Sequence, residues 1–266
     1  MMGYFDRIHA GIPLRDVEII DLHAHLGPYF NMHIPSSEAR DIVRNMDLCG
    51  IDKAVISTTM SFEADIVLGN TMMLRALDSF PGRLYGACSV NGNYPDLSLA
   101  ELERTFSRPD VVMIKVHPYN SKCRLDDPRM DSIFRFAAER QLFVLVHTWL
   151  DGDPYGNQDI FAEVAQAQPQ IRWIMGHSGG PYGSRHAVEL AKKIPNIFLD
   201  LTLSMCPARQ VEYFVSEVGS ERVLFGTDNP YIDPRPQVGR VGLAQISDED
   251  KINIFSANAR RHIAFR

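Results

Sequence analysis

The chain reads as an α/β protein of the TIM-type (β/α)8 barrel class. Two observations predict this: eight short β-rich runs alternate with helical patterns, and five of the runs end in histidine, lysine or aspartate. A barrel gathers the carboxyl ends of its strands at one rim, so polar residues placed there become neighbours across the whole sequence. At 266 residues the chain suits one such barrel, and no linker or low-complexity stretch divides it. Residues 1–266 are therefore expected to form a single domain.

The elements follow in order. Residues 19–25, Ile-Ile-Asp-Leu-His-Ala-His, form an apolar run stopped by Gly27 and Pro28, and alternation would put Asp21, His23 and His25 on one face. Ser36, Ser37 and Glu38 open an N-capped amphipathic helix that ends near Gly50. Strands are expected at 53–59, 83–91, 111–117, 142–147, 171–177, 196–202 and 222–227. Helical patterns fall at 62–80, 97–106, 129–140, 158–168, 181–193 and 208–218. The stretch 229–242, rich in Pro, Arg and Gly, reads as a flap beside the last strand, and a helix at 248–257 closes the chain.

Composition narrows the function classes. With 45% hydrophobic and 23% charged residues, the chain is of ordinary globular type, and its net charge of -6 gives no basic patch for nucleic acid. Residues 1–14 lack the apolar core of a signal peptide and no stretch is long enough to span a membrane, so a cytoplasmic location is expected. Cys49, Cys88, Cys123 and Cys206 are widely spaced, which suggests reduced thiols rather than a zinc knuckle or a disulfide framework. A small-molecule substrate is the expected partner, and a homo-oligomer is left open.

The strand ends carry the chemistry. His23 and His25 end the first strand; Met113, Lys115 and His117 share a face at the end of the fourth; His147, His177 and Asp228 end the fifth, sixth and eighth. Imidazoles with a carboxylate suit Zn2+ or a similar divalent ion, and an open position on such an ion brings the pKa of bound water towards about 7. His177 could ligate a second metal or act as a free base. Asp228 could ligate and also take a proton. Lys115 could bridge metals, clamp a substrate anion or snorkel. His117 could cap its strand or face the substrate, and Asp21 could brace the turn beneath the histidines or face solvent. Trp149 is expected as a pocket wall or lid residue, and Gly179 and Gly180 as room for substrate beside the backbone; His9, His33, His186 and His262 are assigned no role, although His33 lies close enough to the first loop to contact a substrate. Arg185, Arg235 and Arg240 could supply an anion contact, but surface solvation is the leading expectation for each.

Asp21-Leu-His-Ala-His25, Lys115-Val-His-Pro118, His147, Gly176-His-Ser-Gly-Gly180 and Gly226-Thr-Asp-Asn229 together resemble the amidohydrolase superfamily. The resemblance is to the amidohydrolase-2 branch, which includes relatives of aminocarboxymuconate-semialdehyde decarboxylase, and it covers nearly the whole chain. It implies that His23, His25, His147 and Asp228 match the metal ligands of mononuclear members. His177 matches the histidine that orients or deprotonates the water, and Lys115 matches the lysine that binuclear members carboxylate. One divalent ion, zinc, is expected, with Mn2+ or a binuclear site as alternatives. The branch performs hydrolysis, non-oxidative decarboxylation and hydration with one ligand set. The leading expectation is a metal-dependent hydrolase of a small carbonyl- or carboxylate-bearing substrate, with His177 and Asp228 catalytic. A decarboxylase or hydratase is the alternative, and a non-catalytic metal- or ligand-binding barrel ranks below both.

Overall fold

The computed structural model describes all residues except Met1, Gly11, Pro13, Leu150, Asp151, Ser204 and Arg266. Its centre is one sheet of eight strands paired in sequence order, each pair parallel: β1 (Ile20–Leu26), β2 (Lys53–Thr58), β3 (Leu84–Val90), β4 (Val111–Val116), β5 (Phe143–His147), β6 (Arg172–Gly176), β7 (Ile197–Asp200) and β8 (Val223–Leu224). The last strand is short because the chain beyond it turns to the first. Leu22 N–H donates to Phe225 O at 3.0 Å, Asp228 N–H to His23 O at 2.8 Å and His25 N–H to Asn229 O at 2.8 Å. These bonds bring the two edges of the sheet together and complete the barrel.

The helices are α1 (Tyr4–His9), α2 (Ala39–Cys49), α3 (Thr59–Glu63), α4 (Ile66–Ser79), α5 (Pro95–Thr105), α6 (Pro118–Ser121), α7 (Asp131–Glu139), α8 (Gln158–Ala167), α9 (Gly180–Lys193), α10 (Gln210–Val218), α11 (Pro234–Gly242), α12 (Asp248–Ile252) and α13 (Asn258–His262). Residues facing the helices, such as Ile19, Ala24, Ile56, Cys88, Ile114 and Val144, belong to the larger apolar layer. Residues facing the barrel axis form a second cluster that includes Leu22, Val55, Tyr85, Met113, Leu145 and Ile174, joined by Ile263 and Phe265 from the C-terminal segment. The axis is thus filled with side chains up to the level where the polar strand ends begin.

Several boundaries differ from the sequence reading. The helix expected at 62–80 is two, because Thr58 and then Asp65 each cap a new start. Glu38, not Ser36 or Ser37, caps α2, in a reciprocal box with Asp41. The expected flap at 229–242 contains a helix instead: Asp233 accepts from Arg235 N–H and Pro234 occupies the first turn, where no amide proton is needed. The closing helix at 248–257 becomes α12, a π-helical segment Asn253–Ala257, and α13. Among the described residues no helix is long and apolar enough to cross a membrane.

The entry to β1 is pinned from below. Glu18 Oε1 accepts from Lys53 Nζ at 2.9 Å, and Glu18 Oε2 accepts from Arg260 Nε at 2.8 Å, which ties the first strand to the last helix. Hydrogen bonding to Arg260, with Lys53, lowers the carboxyl from 4.5 to about 2 against the opposing effect of burial. A depressed carboxyl stabilises the fold above its unfolded value and loses that contribution as pH falls through its folded value. Glu18→Gln is expected to cost roughly 1 kcal/mol at neutral pH, allowing for solvent screening. The gap to wild type should close between pH 4.5 and 2 in denaturant titrations; a gap independent of pH would refute the assignment.

Candidate functional site

The site begins with an irregularity in β1. Ile20 and Asp21 pair with Lys53 and Ala54, but Ala24 pairs with Ile56, so three residues of β1 span two of β2. The alternation therefore changes phase. Leu22 faces the axis, Ala24 faces the helices, and His23 and His25 turn inward beside Ser57. Asp21, expected on the same face as the histidines, instead falls in phase with outward-facing Ala54. It is fully buried there, accepting from His23 N–H at 3.0 Å, from Thr227 N–H at 3.1 Å and from the Thr227 hydroxyl. Burial raises its carboxyl to about 8. It braces the turn that carries Asp228.

His23, His25 and Asp228 converge. Asp228 Oδ1 lies 3.0 Å from His25 Nε2 and 3.4 Å from His23 Nε2, and the three form a buried group able to hold a metal ion. Two donors each about 2.0–2.2 Å from one ion at ordinary coordination angles lie roughly 3.0–3.5 Å apart, so these separations fit. The tautomer of His23 fits as well: its Nδ1 donates to Asp200 Oδ2 at 2.8 Å, so Nε2 keeps its lone pair, which Lys115 Nζ meets at 2.8 Å. His25 Nδ1 lies 3.1 Å from Ser57 Oγ, and its Nε2 faces Asp228. Burial keeps both imidazoles from protonating, His25 falling to about 4 and His23 well below its ordinary value. Burial alone would raise the Asp228 carboxyl, but His177, His23 and His25 outweigh it and hold that carboxyl below the usual range.

The remaining strand-end residues form a row beside this group. His177 Nδ1–H donates to Thr202 O at 2.9 Å, and its Nε2 lies 3.1 Å from His147 Nδ1. His147 stacks on His117 with ring centres 4.0 Å apart, and His117 stacks on Phe62 at 5.0 Å. His147 stands outside the His23–His25–Asp228 group, with His177 against it. Lys115 does not snorkel: it is 1% exposed, and its Nζ donates to His23 Nε2 at 2.8 Å. Burial lowers its ammonium to about 8, against the pull of Asp228 and Asp200.

Above these groups opens a cavity of ≈ 330 Å³. His25, His117, His147, His177 and Asp228 form its polar end; Tyr29, Phe30, Phe62, Tyr119, Trp149 and Tyr231 form its walls. Tyr231 stacks on His25 at 4.5 Å and on Tyr29 at 5.2 Å. No lysine or arginine is among the described lining residues.

A family profile of amidohydrolases matches residues 20–265. The chain belongs to the amidohydrolase-2 branch of the amidohydrolase superfamily. No curated protein sequence matches it. Among solved structures it is similar to the 5-carboxyvanillate decarboxylase of Sphingomonas paucimobilis (14% identity, TM-score 0.71, 93% of this chain and 99% of that one). It is also similar to the 2,6-dihydroxybenzoate decarboxylase of Rhizobium (16%, 0.71, 92% and 98%). A third is the 5-carboxyvanillate decarboxylase of Novosphingobium aromaticivorans, complexed with manganese and 4-hydroxy-3-methoxy-5-nitrobenzoic acid (16%, 0.72, 93% and 96%). At these identities the likeness establishes the shared barrel.

This amidohydrolase uses one residue that the sequence reading passed over. Asp200, at the end of β7, takes four donors: His23 Nδ1 and His177 N–H on Oδ2, Thr202 N–H and Thr202 Oγ on Oδ1. With both oxygens so engaged it orients His23 and the His177 backbone, although His23, His177 and Asp200 also lie close enough to hold an ion. Other expectations are corrected. His33 is exposed and does not line the cavity, whereas neighbouring Asn31 and Met32 do. The close approaches at Gly179 and Gly180 are not to the cavity. Both have positive φ, and a Cβ would meet the Gln158 side chain at Gly179 and lie 2.2 Å from Trp149 O at Gly180. Arg185 pairs with Glu189 and Arg235 with Asp233 at the surface. Arg240 donates to Leu201 O and Gln237 Oε1, and Gln237 donates to Leu203 O at 2.9 Å, so α11 grips the loop whose Thr202 carbonyl holds His177. None of the three arginines lines the cavity.

Proposed function

We propose that this amidohydrolase is a metal-dependent, non-oxidative decarboxylase of small aromatic acids. The observation that carries the reading is the cavity: six aromatic walls without a cationic side chain, ending on a histidine and aspartate group. Its volume and lining suit a single substituted ring with its polar edge towards that group. The decarboxylases of the same fold, aligned over nearly their full lengths, support the same choice.

In this reading His23, His25 and Asp228 would hold one divalent ion, Zn2+ or Mn2+, with His147 as the fourth donor. His177 is engaged with Thr202 and His147, which favours one ion over two. The ion, when bound, supplies a Lewis acid that anchors a substrate oxygen. Asp228 carries the proton: its Oδ2 faces His177 at 4.0 Å, while Oδ1 faces His25. Ionised at rest, Asp228 relays a solvent proton: it takes the proton up only in passing and hands it to the ring carbon bearing the carboxylate. A C–H bond forms, the C–C bond breaks, its electron pair returns to the ring and carbon dioxide leaves. His177 shapes the polar end of the cavity beside Asp228, and the aromatic walls exclude water.

Hydrolysis of an ester or amide is the second reading, and the same Asp228 Oδ2 favours it, since that oxygen can equally take a proton from an attacking water. The test is a panel run with Zn2+- and Mn2+-loaded protein: hydroxy- and methoxybenzoates assayed for carbon dioxide, beside aryl esters, lactones and anilides assayed for hydrolysis. Carbon dioxide release with one metal equivalent per chain is expected. Hydrolysis without carbon dioxide would replace the first reading by the second, and a protein that binds no metal would defeat both.

A further inference from the structure

His117 lies in the cavity wall, yet neither reading above gives it a task. Its place is well defined. It follows β4 on the inward face shared with Met113 and Lys115, is 4% exposed, and is held between the rings of Phe62 and His147. Its Nδ1 accepts from Asn120 N–H at 3.4 Å, where it caps the first turn of α6. A backbone amide can only donate, so Nδ1 is unprotonated and the neutral ring carries its hydrogen on Nε2. No protein group among the described residues takes up Nε2, and the residue faces the cavity.

We propose that His117 selects the second polar group of the substrate: it offers the cavity one neutral N–H, fitted to an uncharged oxygen on the ring, such as a hydroxyl, ether or carbonyl. A second carboxylate does not suit this position. Among the described residues the lining holds no lysine or arginine, and Asp153 and Asp228 already face the cavity. A buried carboxylate there would lack a counter-charge, whereas an ether or phenolic oxygen loses little on entry and gains a hydrogen bond. The same tautomer prevents Nε2 from ligating a metal, so His117 is not a further metal donor.

The inference rests on the aromatic-acid reading, and the test separates the two. Calorimetric titration of the metal-loaded protein would compare benzoate, the three positional methoxybenzoates and isophthalate. In wild type the best methoxybenzoate is expected to bind about 10-fold more tightly than benzoate, with isophthalate weakest. His117→Phe keeps an aromatic ring and removes the N–H, and there the gap between methoxybenzoate and benzoate should close to less than about 2-fold. His117→Gln restores a donor and should reopen it. An unchanged gap in His117→Phe, or isophthalate binding most tightly to wild type, overturns the proposal while leaving the aromatic-acid reading intact. Failure of every benzoate to bind wild type overturns that reading, and the proposal with it. Independently of any variant's folding, the histidine 15N spectrum of wild type should show His117 as the Nε2–H tautomer; an Nδ1–H signal would refute the assignment.

Discussion

Asp228→Asn is expected to reduce turnover by on the order of 10²- to 10⁴-fold while leaving part of the metal bound. The amide keeps the shape and one oxygen of the carboxylate, so His23 and His25 retain a third donor. It cannot carry a proton, and it gives up the negative charge that three surrounding imidazoles stabilise. Because Asp228 N–H is fixed to His23 O and the residue adopts a positive φ of 60°, the backbone already determines where the side chain points. The variant should therefore fold as wild type does. Turnover measured beside metal content by elemental analysis checks this: a fully active variant would remove Asp228 from the chemistry, and a metal-free one would make it chiefly a ligand.

Asp200→Asn is expected to weaken metal binding about 10- to 100-fold, although Asp200 is not assigned as a ligand. Four donors converge on its two oxygens, and an asparagine has one oxygen and an NH2 group that must meet a donor. If the amide turns its NH2 to His23 Nδ1, that nitrogen must accept, the proton moves to Nε2 and the lone pair at the centre is lost. If it turns the NH2 to Thr202, the hydroxyl and amide there lose their acceptor and the loop holding His177 loosens. Competition against a graded series of chelators gives the affinity. A value within about 2-fold of wild type would show that the tautomer of His23 does not depend on Asp200.

The fold was legible because burial in a barrel imposes a pattern on each strand separately. Val111–Val116 and Phe143–His147 are apolar runs bounded by turns, and their end residues announce the rim. What escaped the sequence depends on partners that a strand does not contain. Asp200 closes the run Ile-Phe-Leu-Asp much as any strand-ending carboxylate would, and three of its four donors belong to His23 and Thr202, with the fourth from His177. The phase change in β1 leaves no glycine or proline to mark it, because all seven residues of the strand remain buried. Arg185 and Arg235 lie at the surface as expected, whereas the partner of Arg240 is fixed by tertiary geometry that no local pattern shows. Arg240 serves Leu201. The stretch 229–242 read as a flap because its helix is short and begins after a proline-rich turn, where periodicity has little length in which to register.

The hydrogen bonds from Leu22 to Phe225, from Asp228 to His23 and from His25 to Asn229 have a consequence for the order in which this molecule can become functional. His25 and Asp228 are 203 positions apart in the sequence, and the seam between the first and last strands is where they meet. On the proposed reading, a chain without its last strand carries His23, His25 and His147 but not Asp228, so the full donor set forms only where the seam closes. On that reading a bound ion would join the first strand to the last and hold the barrel closed across its seam.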